Sequence, residues 1–224
     1  LLVTDTATTL KSHWFNVNIG PGAKFDNFVA RSAYPRYLAE DFDDLDLAGW
    51  TDIGEWTAER GFLENKKPEV KWIKRRENAD DMEMRFSYFR NPAGALPMRI
   101  SLRERLVQAQ GELQLALDYP DIELIETISG VETVLETVAL PEDLPSTWYE
   151  VTARCEGSNI EVWRRVRGST APMELVLSTT SATVLQSSTL RIEGKNGYYI
   201  DDIAIVGFAD EGPPAGEECE NMLV

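Results

Sequence analysis

Alternation of apolar and polar side chains with a period of two is the sequence feature that most restricts the fold of this chain. Period two is the repeat of a β-strand with one buried face, whereas an amphipathic helix repeats every 3.6 residues. The pattern therefore predicts an all-β protein. The alternating segments are MEMRFSYF (82–89), MRISLRERL (98–106), GELQLALDY (111–119), WYEVTARCEG (148–157) and NIEVWRRV (159–166).

The breaks between these segments contain the glycine, proline and asparagine that chain reversals require, as in GKNG (194–197). CEGSNIEVW (155–163) is typical of a β-hairpin. SLRERLVQAQGELQL (101–115) fits a helix as well as two strands joined near Gln110 and Gly111. We expect the two strands.

Net charge excludes two classes of partner. The 224-residue chain has a formal net charge of −16, which disfavours contact with nucleic-acid phosphates or an anionic membrane surface. No apolar run reaches the roughly 18 to 20 residues that span a bilayer. We therefore expect no nucleic-acid partner and no membrane insertion.

An internal repeat sets the predicted domain boundaries. Residues 2–30 align without gaps to residues 177–205, with identities that include Gly22 with Gly197 and Asp26 with Asp201. The alignment predicts a tandem-repeat protein. Residues 1–36 would be the closing strands of a preceding partial repeat, residues 37–208 a complete domain, and residues 209–224 an acidic linker or tail. Residues 1–36 would pair with the complete domain, with another molecule by self-association, or with upstream residues.

Three short motifs resemble a known family. EDFDDLDLAGWTDIGEWTAERGFLEN (40–65), WYEVTARCEGSNIEVW (148–163) and YYIDDIAIV (198–206) are similar to the opening, the central hairpin and the final strand of laminin-G-like or concanavalin-A-like modules. Such modules occur in bacterial secreted and surface multidomain proteins. The resemblance implies an antiparallel jelly-roll β-sandwich at the cell surface or outside the cell. Leu45 stands where those modules have a glycine.

The same resemblance implies a structural calcium site. In calcium-bearing jelly rolls, an acidic residue near the first strand meets an aspartate of the last strand, and calcium takes six to eight oxygen ligands. Asp201 is the best candidate ligand, with Asp43 as its counterpart and Asp41 and Asp44 as additional ligands. The alternative is that the opening aspartates are solvated residues that form turns.

Aromatic residues are candidates for sugar binding or for the core. Trp50, Trp56, Trp148 and Trp163 lie in strand patterns, and we expect them in the core. Rings near strand ends or in the basic segment KKPEVKWIKRR (66–76) are candidates for stacking on a sugar. These candidates are Trp72, Tyr88 and Tyr119. The basic segment itself suits an anionic glycan or an acidic neighbouring repeat, or it is a solvated strand edge.

Carboxylates also allow an enzymatic alternative. DIELIE resembles the catalytic strand of family-16-type glucanases, with Asp121, Glu123 and Glu126 as candidate catalytic groups. Glu126 shares a face with the other two only if a bulge shifts the strand. The only histidine, His13, lies outside the predicted complete domain, which excludes a His-based charge relay there.

The sequence thus favours a non-catalytic extracellular module with a carbohydrate-binding, adhesion or spacer role, whose partners are carbohydrate or neighbouring protein repeats. A glycoside hydrolase-like enzyme is the alternative. The chain has two cysteines, Cys155 and Cys219. The sequence allows either a disulfide between them or two separate thiols.

Overall fold

A computed structural model describes most of the predicted domain. The described residues are 36–76, 81–89, 98–104, 111–118, 121–140, 144, 146–183 and 189–207. They belong to the unit Ala33–Val224. The predicted partial repeat, apart from Arg36, and the predicted acidic tail lie outside the described residues, so their boundaries stay predictions.

Strands form all the regular secondary structure of the described residues, and none of them forms a helix that could span a membrane. The strands are β1 (Arg36–Glu40), β2 (Trp50–Thr51), β3 (Trp56–Thr57), β4 (Leu63–Asn65), β5 (Lys71–Arg76), β6 (Met82–Phe89), β7 (Met98–Glu104), β8 (Glu112–Asp118), β9 (Asp121–Ile128), β10 (Val131–Ala139), β11 (Trp148–Glu156), β12 (Asn159–Val166), β13 (Glu174–Thr180), β14 (Thr189–Gly194) and β15 (Tyr199–Gly207).

Two antiparallel sheets form a sandwich. Sheet A has the order β13-β12-β11-β6-β15-β4-β3, and β1 also pairs with β15. Sheet B has the order β10-β9-β8-β7-β14-β5-β2. The predicted all-β jelly-roll sandwich is confirmed.

The core lies between the inner faces of the two sheets and follows the period-two pattern. On β6, Met82, Met84, Phe86 and Tyr88 are buried, while Glu83 and Arg85 alternate with them and are not. Sheet B supplies aliphatic side chains to the same cluster. The inward residues of its strands include Ile73, Ile100, Leu102, Leu113, Leu115, Leu117, Ile122, Leu124, Leu190 and Ile192.

Two local predictions are confirmed. β11 and β12 form the predicted hairpin, in which Glu156 pairs with Asn159 and Gly157 adopts a φ of +54°. The segments 98–106 and 111–119 contain strands β7 and β8, which pair with each other. The described part of 101–115 is therefore extended and not helical.

A buried arginine joins the two sheets at this hairpin. Arg103 of β7 in sheet B is fully buried. Its guanidinium donates to the carbonyl of Gly157, 2.8 Å away, and to Asp81 Oδ1 at 3.1 Å. The same Asp81 oxygen accepts from the amide of Gly157 at 2.8 Å. The turn of the hairpin is thus held by a side chain from the opposite sheet.

Each sheet ends in an exposed strand. β10 forms the end of sheet B, pairs with β9 and is exposed along almost its whole length. Its register against β9 shifts between Val134 and Glu136, which marks a β-bulge. β13 forms one end of sheet A, and its register against β12 also shifts, between Val162 and Trp163.

Candidate functional site

The outer face of sheet A is organised in rows that cross several strands. Because side chains alternate along each strand, the residues opposite each other on β12, β11, β6 and β15 share this face. One row joins Trp163, Thr152, Arg85 and Ala204. The rows before and after it are mainly polar. Within the row, the small side chains of Thr152 and Ala204 alternate with the large ones of Trp163 and Arg85.

A cavity of about 560 Å³ lies over these rows, and we call it the main cavity. Trp163 of β12 lines it, and the ring is only partly buried. Ser87, Thr152 and Ala204 are small and also line it, and Thr152 Oγ1 donates to the sulfur of Met173 at 3.4 Å. An indole beside small residues in a cavity of this size fits one or two rings of a small ligand.

The charged side chains that line the main cavity are balanced in sign. They are Arg85, Arg154, Arg165, Glu83, Glu150 and Asp202. Arg85 Nε donates to Glu83 at 2.7 Å, and Arg165 Nε donates to Glu150 at 2.5 Å. Ion pairs of this kind fix the orientation of hydrogen-bonding groups without giving the cavity a net charge.

A β-bulge in β15 brings Asp202, but not its neighbour Asp201, to the lining of the main cavity. The register of β15 against β6 shifts between Asp201 and Ala204, and Asp202 has a φ of +52°. Arg167 bridges the two carboxylates, at 2.9 Å from Asp201 and 2.7 Å from Asp202. Ser87 Oγ donates to Asp202 at 3.0 Å. Burial and the charge of Asp202 raise the pKa of Asp201.

Beyond the bulge, an aromatic cluster continues the same face. Trp148, Phe89 and Tyr199 are cross-strand neighbours, and Phe62 packs on Tyr199 with ring centroids 4.7 Å apart. Arg60 lies 4.7 Å from the centroid of Phe62 and 5.1 Å from that of Tyr199, and Arg167 lies 5.1 Å from that of Trp148. The arginines therefore cover these rings, and Trp163 is the better ring for a ligand.

The core prediction for the tryptophans is right for two and wrong for two. Trp50 and Trp56 are buried. Trp148 and Trp163 are only partly buried and lie on the outer face of sheet A, because each occupies an outward position in its strand. The signal was present in the sequence: in NIEVWRRV, Trp163 alternates in phase with Glu161 and Arg165, which marks a solvent-facing row.

The predicted calcium ligands do not fit a calcium site. Asp201 is paired with Arg167, so its carboxylate already has a cation. Asp41 accepts from the amide of Asp43, and Asp44 accepts from the amide of Asp46, both at 3.2 Å. Among the described residues, no three His, Cys, Asp or Glu side chains are grouped as a metal ion needs. The opening aspartates match the turn-forming alternative.

The predicted sugar-stacking rings lie in three different situations. Trp72 is 50% exposed on β5 of sheet B, where Arg191 lies 5.9 Å from its ring centroid. Tyr88 is 4% exposed and stacks on Tyr149, so the prediction that it offers a face to a ligand is wrong. Tyr119 lies outside the described residues. Neither Trp72 nor Tyr88 lines the main cavity.

The candidate catalytic carboxylates do not converge. Asp121 and Glu123 alternate with buried residues on β9 and share its outer face. Glu126 follows the phase of the buried positions Ile122 and Leu124, and its carboxylate accepts from Ser181 Oγ at 2.6 Å. The bulge that would realign it is absent from β9, since the register shift of this pair lies in β10.

Sheet B has an ion network next to Trp72. Arg191 pairs with Glu112 at 3.0 Å and with Glu193 at 2.6 Å, and Glu104 lies 3.8 Å away. Burial raises the pKa of Glu112 to about 7 and outweighs the opposing effect of Arg191, while Glu104 and Glu193 raise it further. Glu112 is the described carboxyl group whose pKa is raised into the neutral range.

Of the two cysteines, Cys155 is a buried free thiol, and burial raises its pKa to about 11. A thiol of this kind is unreactive at neutral pH. Cys219 lies outside the described residues.

Comparisons with known proteins agree on the fold. No family model and no curated protein matches the chain. Among solved structures, a carbohydrate-binding module, CBM66 from Bacillus subtilis, is similar with a TM-score of 0.51 and 12% identity over 72% of this chain and 94% of that one. The exoplasmic/lumenal domain of VIP36 in a Ca²⁺/Man3GlcNAc-bound form has a TM-score of 0.60 and 11% identity, covering 75% and 88%.

A third similar structure is the CBM2 module of the evolved Dit protein of Lactobacillus casei BL23 phage J-1, with a TM-score of 0.55 and 10% identity over 76% of this chain and 94% of that one. At these identities the comparisons show the fold alone. It is a concanavalin-A-like jelly roll.

Proposed function

We propose that this chain is a non-catalytic carbohydrate-binding module that binds sugar in the main cavity on the outer face of sheet A. One observation carries the proposal: the partly exposed indole of Trp163 lies beside small side chains and between arginine–carboxylate pairs. An indole stacks on the apolar face of a sugar ring, and fixed donors and acceptors around it bind the hydroxyl groups. Similar folds in carbohydrate-binding modules support this assignment.

The test is a neutral and anionic glycan panel followed by calorimetry on the best neutral glycan. We expect the Trp163→Ala variant to bind at least about tenfold more weakly than wild type, because a central aromatic contact is lost. Trp72→Ala is the matched control, since Trp72 is exposed on the opposite sheet and does not line the main cavity. Circular dichroism checks that both variants are folded.

If wild type binds no glycan on the panel, an adhesion or spacer role replaces the proposal. Equal losses for Trp163→Ala and Trp72→Ala would contradict the main cavity as the site. An extracellular or lumenal location, and neighbouring repeats as additional partners, belong to the proposal as predictions. Secretion of a tagged chain into the medium tests the location.

The absence of catalysis is also a proposal. Asp121, Glu123 and Glu126 do not share one face of β9, so they lack the shared cleft that two-carboxylate hydrolysis needs. We expect no release of reducing sugar from the polysaccharides that the chain binds. Release that disappears in Glu123→Gln would favour the glycoside hydrolase alternative.

We propose that sugar binding by this chain does not require calcium. Arg167, paired with Asp201 and Asp202, supplies the positive charge that the family resemblance assigns to calcium. Sugar binding is therefore expected to persist in chelator. The VIP36 domain has been solved in both Ca²⁺-bound and metal-free forms, so both conditions belong in the glycan screen.

A further inference from the structure

A second cavity of about 320 Å³ adjoins the main cavity on the outer face of sheet A. Arg154 lines both. On β11, Arg154 lies two residues after Thr152, and on β12, Glu161 lies two residues before Trp163. Two residues of a strand span about 7 Å, so the two cavities follow one another along the strands.

The boundary between the cavities coincides with the bulge of β13. Val162 pairs with Leu177, but Trp163 pairs with Leu175, so Val176 is the extra residue. A bulge bends its strand and redirects the side chains around it. On the far side of the bulge, Ser178, Thr179 and Thr180 of β13 line the second cavity.

Hydrogen-bonding groups dominate the second cavity, and none of the described residues that line it is aromatic. Beside the three hydroxyl groups, its lining has the Asn159 amide, the Glu156 and Glu161 carboxylates and the Arg154 guanidinium. A hydrogen bond to a ligand replaces one to water, so each adds little net stability to a complex. This cavity alone would hold a sugar weakly, but a sugar linked to one already stacked on Trp163 arrives at a high effective concentration.

Charge restricts the type of sugar. Three arginines and three carboxylates line the main cavity, while one arginine and two glutamates line the second. Neither set has excess positive charge, and the chain as a whole carries −16. A sulfated or uronic sugar would therefore be repelled.

We infer that the outer face of sheet A binds a neutral oligosaccharide of at least two units, with one unit on Trp163 and the next in the cavity of Arg154 and Glu161. This inference rests on the proposed function and adds the ligand class and the second subsite. It explains why the two cavities share Arg154 and why, among the described residues, Trp163 lines the main cavity and not the second.

The experiment uses the full chain and the mono-, di- and trisaccharides of the gluco-, manno-, xylo- and fructo-oligosaccharide series, measured by calorimetry. We expect the disaccharide of the preferred series to bind at least about threefold more tightly than the monosaccharide. Glu161→Ala should remove that gain, a loss of about three- to tenfold, and leave monosaccharide affinity unchanged. Trp163→Ala should weaken binding at every chain length.

Glu136→Ala is the matched control, because Glu136 is an exposed strand glutamate on sheet B. Equal affinity for mono- and disaccharides, or a Glu161→Ala variant that matches wild type on disaccharides, overturns the second subsite while the Trp163 effect keeps the proposed function. An unchanged affinity in Trp163→Ala overturns the proposed function itself. Tighter binding of the sulfated or uronic counterparts overturns the neutral ligand class.

Discussion

Among the described residues, Glu112 is a carboxyl group whose protonation is expected to affect folding. Its pKa rises from an ordinary 4.5 to about 7, mainly because the carboxyl group is buried. A carboxyl with a raised folded-state pKa stabilises the fold when protonated. Its contribution is fully present below pH 4.5 and is lost as the pH rises through 7.

We therefore predict that Glu112→Gln, which imitates the protonated carboxyl, is more stable than wild type at pH 8 by about 1 to 3 kcal/mol. At pH 4.5 the two should differ little. Arg191 keeps its contact with Glu193 in the variant. Urea unfolding at both pH values measures the difference, and Glu136→Gln is the exposed control. A larger gain at pH 4.5 than at pH 8 would contradict the assignment.

Leu45 takes a backbone conformation that suits glycine. Its φ is +62°, and its side chain is 55% exposed. The left-handed region costs a side-chain-bearing residue about 1 kcal/mol, and more if the residue is β-branched. The Leu45 amide donates to the Phe42 carbonyl at 3.0 Å and closes a turn. The backbone of this turn is therefore one that the glycine of similar modules adopts more easily than leucine does.

From this conformation we predict that Leu45→Gly is at least as stable as wild type and that Leu45→Val is less stable by about 1 kcal/mol. Thermal unfolding of the two variants gives the comparison. Equal unfolding temperatures for Leu45→Val and Leu45→Gly would contradict a left-handed backbone conformation at residue 45.

At the scale of elements, the β11–β12 hairpin supports both cavities and depends on Arg103 of the opposite sheet. Arg103→Met would leave the Gly157 carbonyl and the Asp81 carboxylate without their buried donor. We predict a loss of about 2 to 4 kcal/mol in unfolding free energy. Faster amide exchange at residues 155–161 than in a destabilised core control, Leu115→Ala, would show that the hairpin is affected specifically. Uniform exchange would mean a general loss of stability.

Element prediction from sequence succeeds where alternation is uninterrupted. β6, β11 and β12 follow from period two, and their inward residues form the core as that pattern requires. The bulges of β13 and β15 could not be predicted, because an extra residue changes the register without changing composition. Those bulges place Asp202 and the hydroxyl residues of β13 at the site.

Prediction of the candidate site from the sequence is limited in the same way, because strand pairing is not encoded in the local pattern. The face on which Trp163 lies follows from the phase of NIEVWRRV, but the partners of Arg165 and Arg167 depend on which strands are neighbours. The resemblance implies that the first and last strands are neighbours, and β1 does pair with β15, through residues 203–206. The pairing of Asp201 with Arg167 could be seen only in the three-dimensional arrangement.

At the scale of the whole molecule, the pairing of Arg167 with Asp201, the best candidate calcium ligand, predicts that metal has little effect on stability. We expect the unfolding temperature in calcium and in chelator to agree within about 2 °C. Arg167→Ala should lower it in both, because two neighbouring aspartates would then repel each other. A calcium-dependent rise of more than about 5 °C in wild type would contradict this prediction.

The bulge in β10 has a consequence when many copies are close together. A long exposed strand at the end of a sheet is a template on which another chain can add, and open-ended addition leads to aggregation. In β10 the extra residue at Leu135 interrupts the regular ladder, and the exposed Glu136 beside it adds negative charge, while Glu132 is paired with Arg99. We therefore expect densely packed copies of this chain to lie side by side without their sheets merging.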